Sequence, residues 1–225
     1  MGMSEVRTIL LNRSAYADND QEADALRDYL KDHQTFLVNV MSSPGSGKTT
    51  TLTKLINILK SEFKIGVMEA DIDSDVDAIS IAKNTGVASI QLHTNGMCHL
   101  DAGMTKTGLD GIEFKDFDLI FLENVGNLVC PAEFDTGASM DMVILSVPEG
   151  DDKPIKYPLV FEKSSLVLIN KIDALPFFDF NMERVVKNIK RRNERATIIP
   201  ISAKTGENME LVADYFRKVI AEWRK

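Results

Sequence analysis

Ser42-Ser43-Pro44-Gly45-Ser46-Gly47-Lys48-Thr49 stands between an apolar stretch, Phe36 to Met41, and a helical pattern that begins near Lys48. A strand, a glycine-bearing loop and a helix in that order leave few folds open. They collect loop amides and a helix N-terminus at one end of a strand, which makes a cradle for phosphate. Gly45, Ser46 and Gly47 then offer backbone N–H groups, Lys48 reaches the outer phosphates, and the Thr49 hydroxyl binds Mg²⁺. Thr50 completes the candidate phosphate-binding set. The pattern usually opens on glycine; Ser42 holds that place here and is expected to make its turn without glycine's access to positive φ.

Further along, short apolar runs alternate with helical patterns: Lys64 to Ala70, Ala88 to Leu92, Phe117 to Leu122, Met142 to Val147, Leu166 to Ile169 and Thr197 to Ile201. Strands buried on both faces read as continuous apolar runs, and intervening helices are the short way to keep them parallel. The expected fold class is therefore α/β, one doubly wound, mostly parallel sheet with ligand loops at the strand carboxyl ends. Residues 1–34 are read as an N-terminal arm and an amphipathic helix, and residues 35–225 as the nucleotide-binding domain. The arm, residues 1–19, is polar and without clear period. The helix, Gln21 to His33, carries Ala23, Leu26 and Leu30 at helical spacing and is expected to cover an edge of the sheet.

With 225 residues and 44% apolar content the chain can bury a substantial core in a single domain. A net charge of -8 argues against a general grip on nucleic acid or on an anionic membrane surface. The local basic run Lys187, Lys190, Arg191, Arg192 and Arg195 has no interleaved aromatic residue and reads as the solvated face of a helix. Two cysteines, no export signal and no bilayer-length apolar run point to a soluble protein of the reducing cytoplasm, where thiols can serve as metal ligands.

Asn170-Lys171-Ile172-Asp173 follows the apolar run at Leu166 to Ile169, about 120 residues after the phosphate loop. A carboxylate at that strand end can accept hydrogen bonds from guanine N1–H and its 2-amino group. Adenine would leave the buried acceptor unpaired, so Asp173 selects GTP. The Lys171 stem can lie against the base, the Asn170 amide can tie this turn to the phosphate loop, and Ser202, Ala203 and Lys204 after the last strand offer a second support. Two other segments are placed to sense phosphate. Glu69-Ala70-Asp71 ends one strand, with Asp71 the better candidate for holding Mg²⁺; among Asp73, Asp75 and Asp77 some are expected to be solvated or capping residues. Glu123-Asn124-Val125-Gly126 ends another, where the Gly126 amide can detect a γ-phosphate. Lys48, Asp71, Glu123 and Gly126 form the candidate catalytic set. Asn127 occupies the place where many GTPases carry a water-orienting glutamine, so slow intrinsic turnover is expected.

Cys98-His99-Leu100-Asp101-Ala102 is expected to open a helix, and Cys130-Pro131 follows Glu123 closely. Thiolate and imidazole suit a borderline or soft dication, and three ligands from one chain leave its coordination to be completed by water or by a second subunit across a two-fold axis. An isolated cysteine is also commonly a small buried apolar residue, and spacing alone leaves both readings open.

The phosphate loop, Cys98-His99-Leu100-Asp101-Ala102, Glu123 to Pro131, Ser146 to Lys153 and Asn170-Lys171-Ile172-Asp173 occur in the order seen in the hydrogenase nickel-incorporation GTPases. From about Phe36 to its C-terminus the chain resembles that HypB family. The resemblance implies a P-loop NTPase topology of the G-protein, SIMIBI-like kind, GTP hydrolysis to GDP, and a homodimer formed on GTP binding. It also implies nickel delivery to a [NiFe]-hydrogenase large-subunit precursor with a second accessory protein, and zinc can occupy the same site. By the motif match Cys98, His99 and Cys130 are the metal ligands, and Lys153 is a candidate for contact across the dimer. The sequence has no cysteine cluster near residue 1 and no histidine-rich tract, so the nickel store of some relatives is not expected. Met97 stands where an acidic residue usually precedes the Cys-His pair, and Pro154 follows Lys153. Competing readings are a small-molecule kinase, which has no need of Asn170-Lys171-Ile172-Asp173, a GTP-regulated scaffold with structural cysteines, and a urease-maturation GTPase.

Overall fold

The computed structural model describes residues 7–10, 19–71 and 74–225. Among these residues eight strands make one sheet: β1 (Arg7–Leu10), β2 (Phe36–Ser42), β3 (Ile65–Asp71), β4 (Ala88–His93), β5 (Leu119–Glu123), β6 (Met140–Ser146), β7 (Leu166–Asn170) and β8 (Thr197–Pro200). Their order across the sheet is β1-β4-β3-β5-β2-β6-β7-β8, and every pairing is parallel, so the sheet is wholly rather than mostly parallel. Nine α-helices among the described residues accompany the strands: α1 (Asn19–Asp32), α2 (Lys48–Leu59), α3 (Val76–Thr85), α4 (Ala102–Ile112), α5 (Cys130–Glu133), α6 (Lys153–Lys156), α7 (Pro158–Lys163), α8 (Met182–Arg192) and α9 (Met209–Trp223). None of the described helices is long and apolar enough to cross a membrane.

The apolar runs are continuous because both faces of each central strand are covered, and the strand period of two sorts their residues between the layers. Phe36, Val38 and Val40 of β2 join Leu119 and Phe121 of β5 and Leu166 and Leu168 of β7 under α2 and α9. Leu37, Ile120 and Leu122 face Leu26 and Leu30 of α1 and Met104 and Leu109 of α4. Met41, Val143, Leu145, Val167 and Ile169 face α7 and α8. In α9, Met209, Val212, Ala213, Phe216 and Ile220 are the buried residues, the i, i+3, i+4 stripe of a helix laid on a sheet.

Two expectations change. The arm assigned to residues 1–19 contributes β1, an edge strand whose register sets Arg7 opposite Ile90 and Leu10 opposite His93, and Asn19 is the first residue of α1. A four-residue strand carries too short a pattern to stand out of a polar stretch. The helix expected to cover a sheet edge instead packs on a face, where Ala23, Leu26 and Leu30 are buried. The basic run behaves as expected: Lys187, Lys190, Arg191, Arg192 and Arg195 are all exposed on and just after α8.

Parallel pairing brings the carboxyl ends of all central strands to one edge. Ser42, Asp71, Glu123 and Asn170 are the last residues of their strands.

Candidate functional site

The phosphate loop closes between β2 and α2 with its positive φ values at Gly45 (75°) and Gly47 (96°). Ser42 is not strained: it is the last extended residue of β2, and its side chain organises the loop. The Ser42 hydroxyl donates to Ser43 O at 2.8 Å and accepts from Ser46 Oγ at 2.6 Å, and Lys48 Nζ lies 3.1 Å from it. Gly47 is required twice over, by its φ and because a Cβ there would sit 2.6 Å from Asn170 Nδ2.

That contact is one of several joining the phosphate loop to the candidate base site. Asn170 donates from Nδ2 to Ser46 O at 2.9 Å and accepts through Oδ1 from Lys171 N and from Ala203 N, at 2.8 and 3.1 Å. Lys171, at φ 63°, donates from Nζ to Gly45 O at 2.6 Å. Asp173 accepts from Ser202 Oγ at 2.7 Å, and Lys204 Nζ stands 4.0 Å from its other oxygen. The sequence-predicted residues of both turns are therefore gathered into one hydrogen-bonded assembly.

A cavity of about 730 Å³ opens over the loop and is walled by Lys48, Thr49, Thr50, Asp71, Glu123 and Gly126, among others. Thr49 Oγ1 donates to Glu123 Oε1 at 3.0 Å. Asp71 lines the cavity and accepts from Ser74 N at 3.1 Å, but it is not part of the tightest carboxylate group. Among the described residues that group is Glu69, Asp77 and Glu123, whose oxygens lie within 4.8 Å of one another. Glu69 faces Gln91 and Glu123 across β4, β3 and β5, because the parallel register sets Glu69 opposite both. Burial, reinforced by the Glu123 charge, pushes the Glu69 carboxyl up to about 9; burial pushes Glu123 up to about 7 against the pull of Lys48. Glu69 Oε2 and Glu123 Oε2 are buried without a hydrogen-bond partner, a donor set that fits a hard dication. Sequence reasoning passed over Glu69 and left Asp77 among the solvated or capping acids; alternation along β3 was the available signal, since it sets Glu69 and Asp71 on one face. Asp75 stands at the N-cap of α3 with no side-chain cap bond, and Asp73 lies outside the described residues.

Gly126 packs against the phosphate loop, where a Cβ would meet Pro44 Cγ at 3.1 Å. The next residue, Asn127, forms a bridge with Ser42 through its backbone. Its side chain accepts from Val129 N at 2.8 Å and donates to Cys130 Sγ at 3.5 Å, so neither end of the amide is directed at the cavity.

Cys98 and His99 do not lie on a helix. They lie in the loop before α4, which starts at Ala102 with Asp101 as its N-cap, accepting from Met104 N at 2.8 Å. Cys98 and Cys130 are both free and partly exposed, and the fold makes them neighbours: the Cys98 thiol, followed by burial, raises the Cys130 pKa. His99 is 8% exposed and stacks on Phe134, with ring centroids 3.6 Å apart and planes inclined by 12°. The donor atoms of Cys98, His99 and Cys130 do not converge as the three carboxylates do. One chain thus presents a pair of sulfurs with an imidazole beside them. Lys153 opens α6 and lies 5.2 Å from the Tyr157 ring.

A phosphate loop at the end of β2, acidic residues at the ends of β3 and β5, and an Asn-Lys-Ile-Asp turn after β7, all on one edge of a parallel sheet, define a P-loop nucleotide-binding protein. Residues 36–200 match the family model for the CobW/HypB/UreG nucleotide-binding domain, and the chain belongs to that family, among the HypB hydrogenase maturation factors. It is 43% identical over 208 residues to hydrogenase maturation factor HypB of Azotobacter chroococcum mcd 1, spanning 92% of this chain and 68% of that protein. The crystal structure of HypB from Helicobacter pylori in complex with nickel has a TM-score of 0.86 at 35% identity, covering 92% of this chain and 96% of that one. Hydrogenase maturation factor HypB from Archaeoglobus fulgidus has a TM-score of 0.84 at 36% identity, with 91% and 99% covered.

Proposed function

We propose that the chain is a cytoplasmic GTPase that carries nickel, or zinc, at a Cys/His site whose state follows the bound nucleotide, and that it helps insert nickel into a [NiFe]-hydrogenase large-subunit precursor with a second accessory protein. The observation that carries this reading is Asn127, whose backbone bridges Ser42 of the phosphate loop while its amide touches the sulfur of Cys130. A γ-phosphate that draws Gly126 toward the loop displaces a metal donor through one intervening residue.

Hydrolysis of the β–γ bond is a reaction in which protein groups mainly position and neutralise. Lys48 and the loop amides hold the phosphates, Gly126 N–H meets the γ-phosphate, and Asp173, held by Ser202, reads guanine. Thr49, Asp71 and Glu123 are the residues that would hold Mg²⁺, with Glu69 and Asp77 beside them; when bound, the ion spreads the charge that develops on the phosphate oxygens. The engagement of Asn127 with Val129 and Cys130 leaves no side chain at its position to orient water, which supports slow turnover until a partner or a second copy supplies one.

The cargo metal takes Cys98 and Cys130 as thiolates, with His99 as a further donor. Two sulfurs per chain leave tetrahedral or square-planar coordination unfilled, so a second copy across a two-fold axis completes it and GTP binding favours the homodimer. Lys153 is the residue assigned to the contact between copies. Neither nucleic acid nor membrane belongs to this reading, given the net charge of -8.

Size-exclusion chromatography with light scattering and metal analysis, run with GDP or a non-hydrolysable GTP analogue and with nickel or zinc, tests the proposal. Analogue-dependent dimers with a fixed metal-to-chain ratio are expected. Equal nickel affinity in the two nucleotide states, measured by competition with a chromophoric chelator, overturns the coupling and leaves a guanine-selective scaffold with structural cysteines.

A further inference from the structure

Asn39 interrupts the apolar run of β2 in the middle of the central strand, and it is only 1% exposed. It projects to the same face as Leu37 and Met41, where two neighbours answer it. Asn39 Nδ2 donates to Asp141 Oδ1 of β6 at 2.8 Å, and Asn39 Oδ1 accepts from Asn124 Nδ2 at 2.9 Å. Asn124, fully buried, accepts through its own Oδ1 from Val125 N at 2.9 Å, while its backbone N–H donates to Val40 O at 3.0 Å. Each amide atom of both asparagines therefore has a partner.

Such a network is a poor means of adding stability. Each hydrogen bond nets about 1 kcal/mol, whereas an orphaned buried group costs about 1–3 kcal/mol, so apolar residues would serve the strand as well. Its distinguishing effect is geometric: it fixes the side chain of Asn124, the first residue after Glu123, whose backbone N–H is held separately by Val40 O. The segment that follows runs through Gly126, against Pro44, and Asn127, against Ser42, to Cys130. Asp141 itself lies on the wall of a second cavity, of about 360 Å³, shared with Pro131 and Ala132 of α5 and with Phe134, the ring on which His99 stacks. One end of the network therefore holds the start of the nucleotide-sensing segment, and the other abuts the space beside the cysteine-bearing helix.

We propose that Asn39 and Asp141 are positioning residues that act as the fulcrum of this segment: by fixing Asn124 they make a displacement imposed at Gly126 travel to Cys130 instead of being absorbed by rotation at the end of β5. The inference rests on the nucleotide–metal coupling proposed above. The second cavity gives α5 room to follow, and Asp141 acts through Asn39 and Asn124 without touching nucleotide or cargo.

The test is nickel affinity by chelator competition, in the GDP state and in the GTP-analogue state, on the full chain. A wild-type affinity ratio between states of about five-fold or more is the range of ordinary allosteric coupling. Asp141→Ala, which leaves Asn39 Nδ2 without its acceptor, is expected to bring that ratio close to one, while GTP-analogue affinity and GDP-state nickel affinity stay within about two-fold. Asp141→Asn keeps an oxygen for Asn39 and is expected to restore the ratio, a rescue that a merely structural role would not produce. Should Asp141→Ala fail to fold, Asn39→Ser breaks the same chain without changing charge and is expected to give the same loss. A wild-type ratio with an undiminished ratio in Asp141→Ala or Asn39→Ser overturns the fulcrum alone, as does failure of Asp141→Asn to rescue. A wild-type ratio of one removes the underlying coupling and this inference together.

Discussion

The phosphate loop and the cysteine site lie a few residues apart along the path through Asn127, yet they are built in opposite ways. The first is complete within one chain: Ser42, Ser46, Lys48, Asn170 and Lys171 hold one another through hydrogen bonds of 2.6 to 3.1 Å. The second is a pair of thiols in a loop and at a helix start, with an imidazole held aside by Phe134. Donor chemistry divides in the same way. The first gathers buried carboxylate oxygens, a donor type that suits a hard ion, and the second gathers sulfurs of intermediate exposure, which suit a softer one. The proposed switch would use both: the part held together within the chain would read the nucleotide, and the cysteine part would be made or unmade by moving a short segment or adding a second copy.

The most damaging change to the rigid side is Gly47→Val. The side chain would collide with Asn170 at a residue with φ of 96°, so nucleotide binding measured with a fluorescent GTP analogue is expected to be lost, with Tm lowered as well. On the incomplete side, Cys98→Ala with Cys130→Ala is expected to weaken nickel binding by ~100-fold or more while leaving GTP affinity within about two-fold. Equal losses at both sites would erase the division between them. Asp173→Asn is expected to cost ~5- to 150-fold in GTP affinity, the effect of mispairing one buried donor–acceptor set, and to favour xanthine nucleotide, whose 2-oxo group accepts from the new amide.

A pH experiment probes the oxygen-lined side. Glu69 and Glu123 bind protons more tightly folded than unfolded, so their contribution to stability is largest below the ordinary glutamate value of 4.5 and falls as pH rises through about 7 and about 9. Mg²⁺ neutralises the carboxylates and should raise Tm more at high pH than at low pH, and Glu69→Gln should flatten both trends. A Mg²⁺ effect independent of pH would place the ion elsewhere. The smallest effect is Arg27→Ala. Its bidentate bonds to Asp135, at 2.8 and 2.7 Å, brace the loop after α5, but both side chains are about one-third exposed, so a cost of ~0.5–1 kcal/mol, roughly 1–4 °C in Tm, is expected.

The loop-and-helix motif, the six runs that became β3 to β8, and the Asn170 and Ser202 turns could be read directly, because period and turn chemistry are local. Asn39 passed unremarked inside the apolar stretch Phe36 to Met41, because nothing local says what answers a polar residue there. β1 was missed because four residues cannot display a period within a polar stretch, and the place of α1 was missed because amphipathicity does not name the surface a helix covers. Glu69 was passed over for Asp71 because only the register of three parallel strands sets Glu69 between Gln91 and Glu123.

Sequence by itself determined which atoms could do chemistry: a lysine and threonine after a glycine loop, a carboxylate closing the Asn-Lys-Ile-Asp turn, two sulfurs and an imidazole. Tertiary structure decided which of them meet. It set Cys98 beside Cys130, turned His99 onto Phe134, engaged the Asn127 amide with Val129 and Cys130 and tied Asn124 to Asp141 through Asn39. The physical reason is range: backbone preferences and periodicity act over a few residues, whereas burial and hydrogen bonding between strands join residues far apart in the chain, and their partners exist only once the sheet has formed.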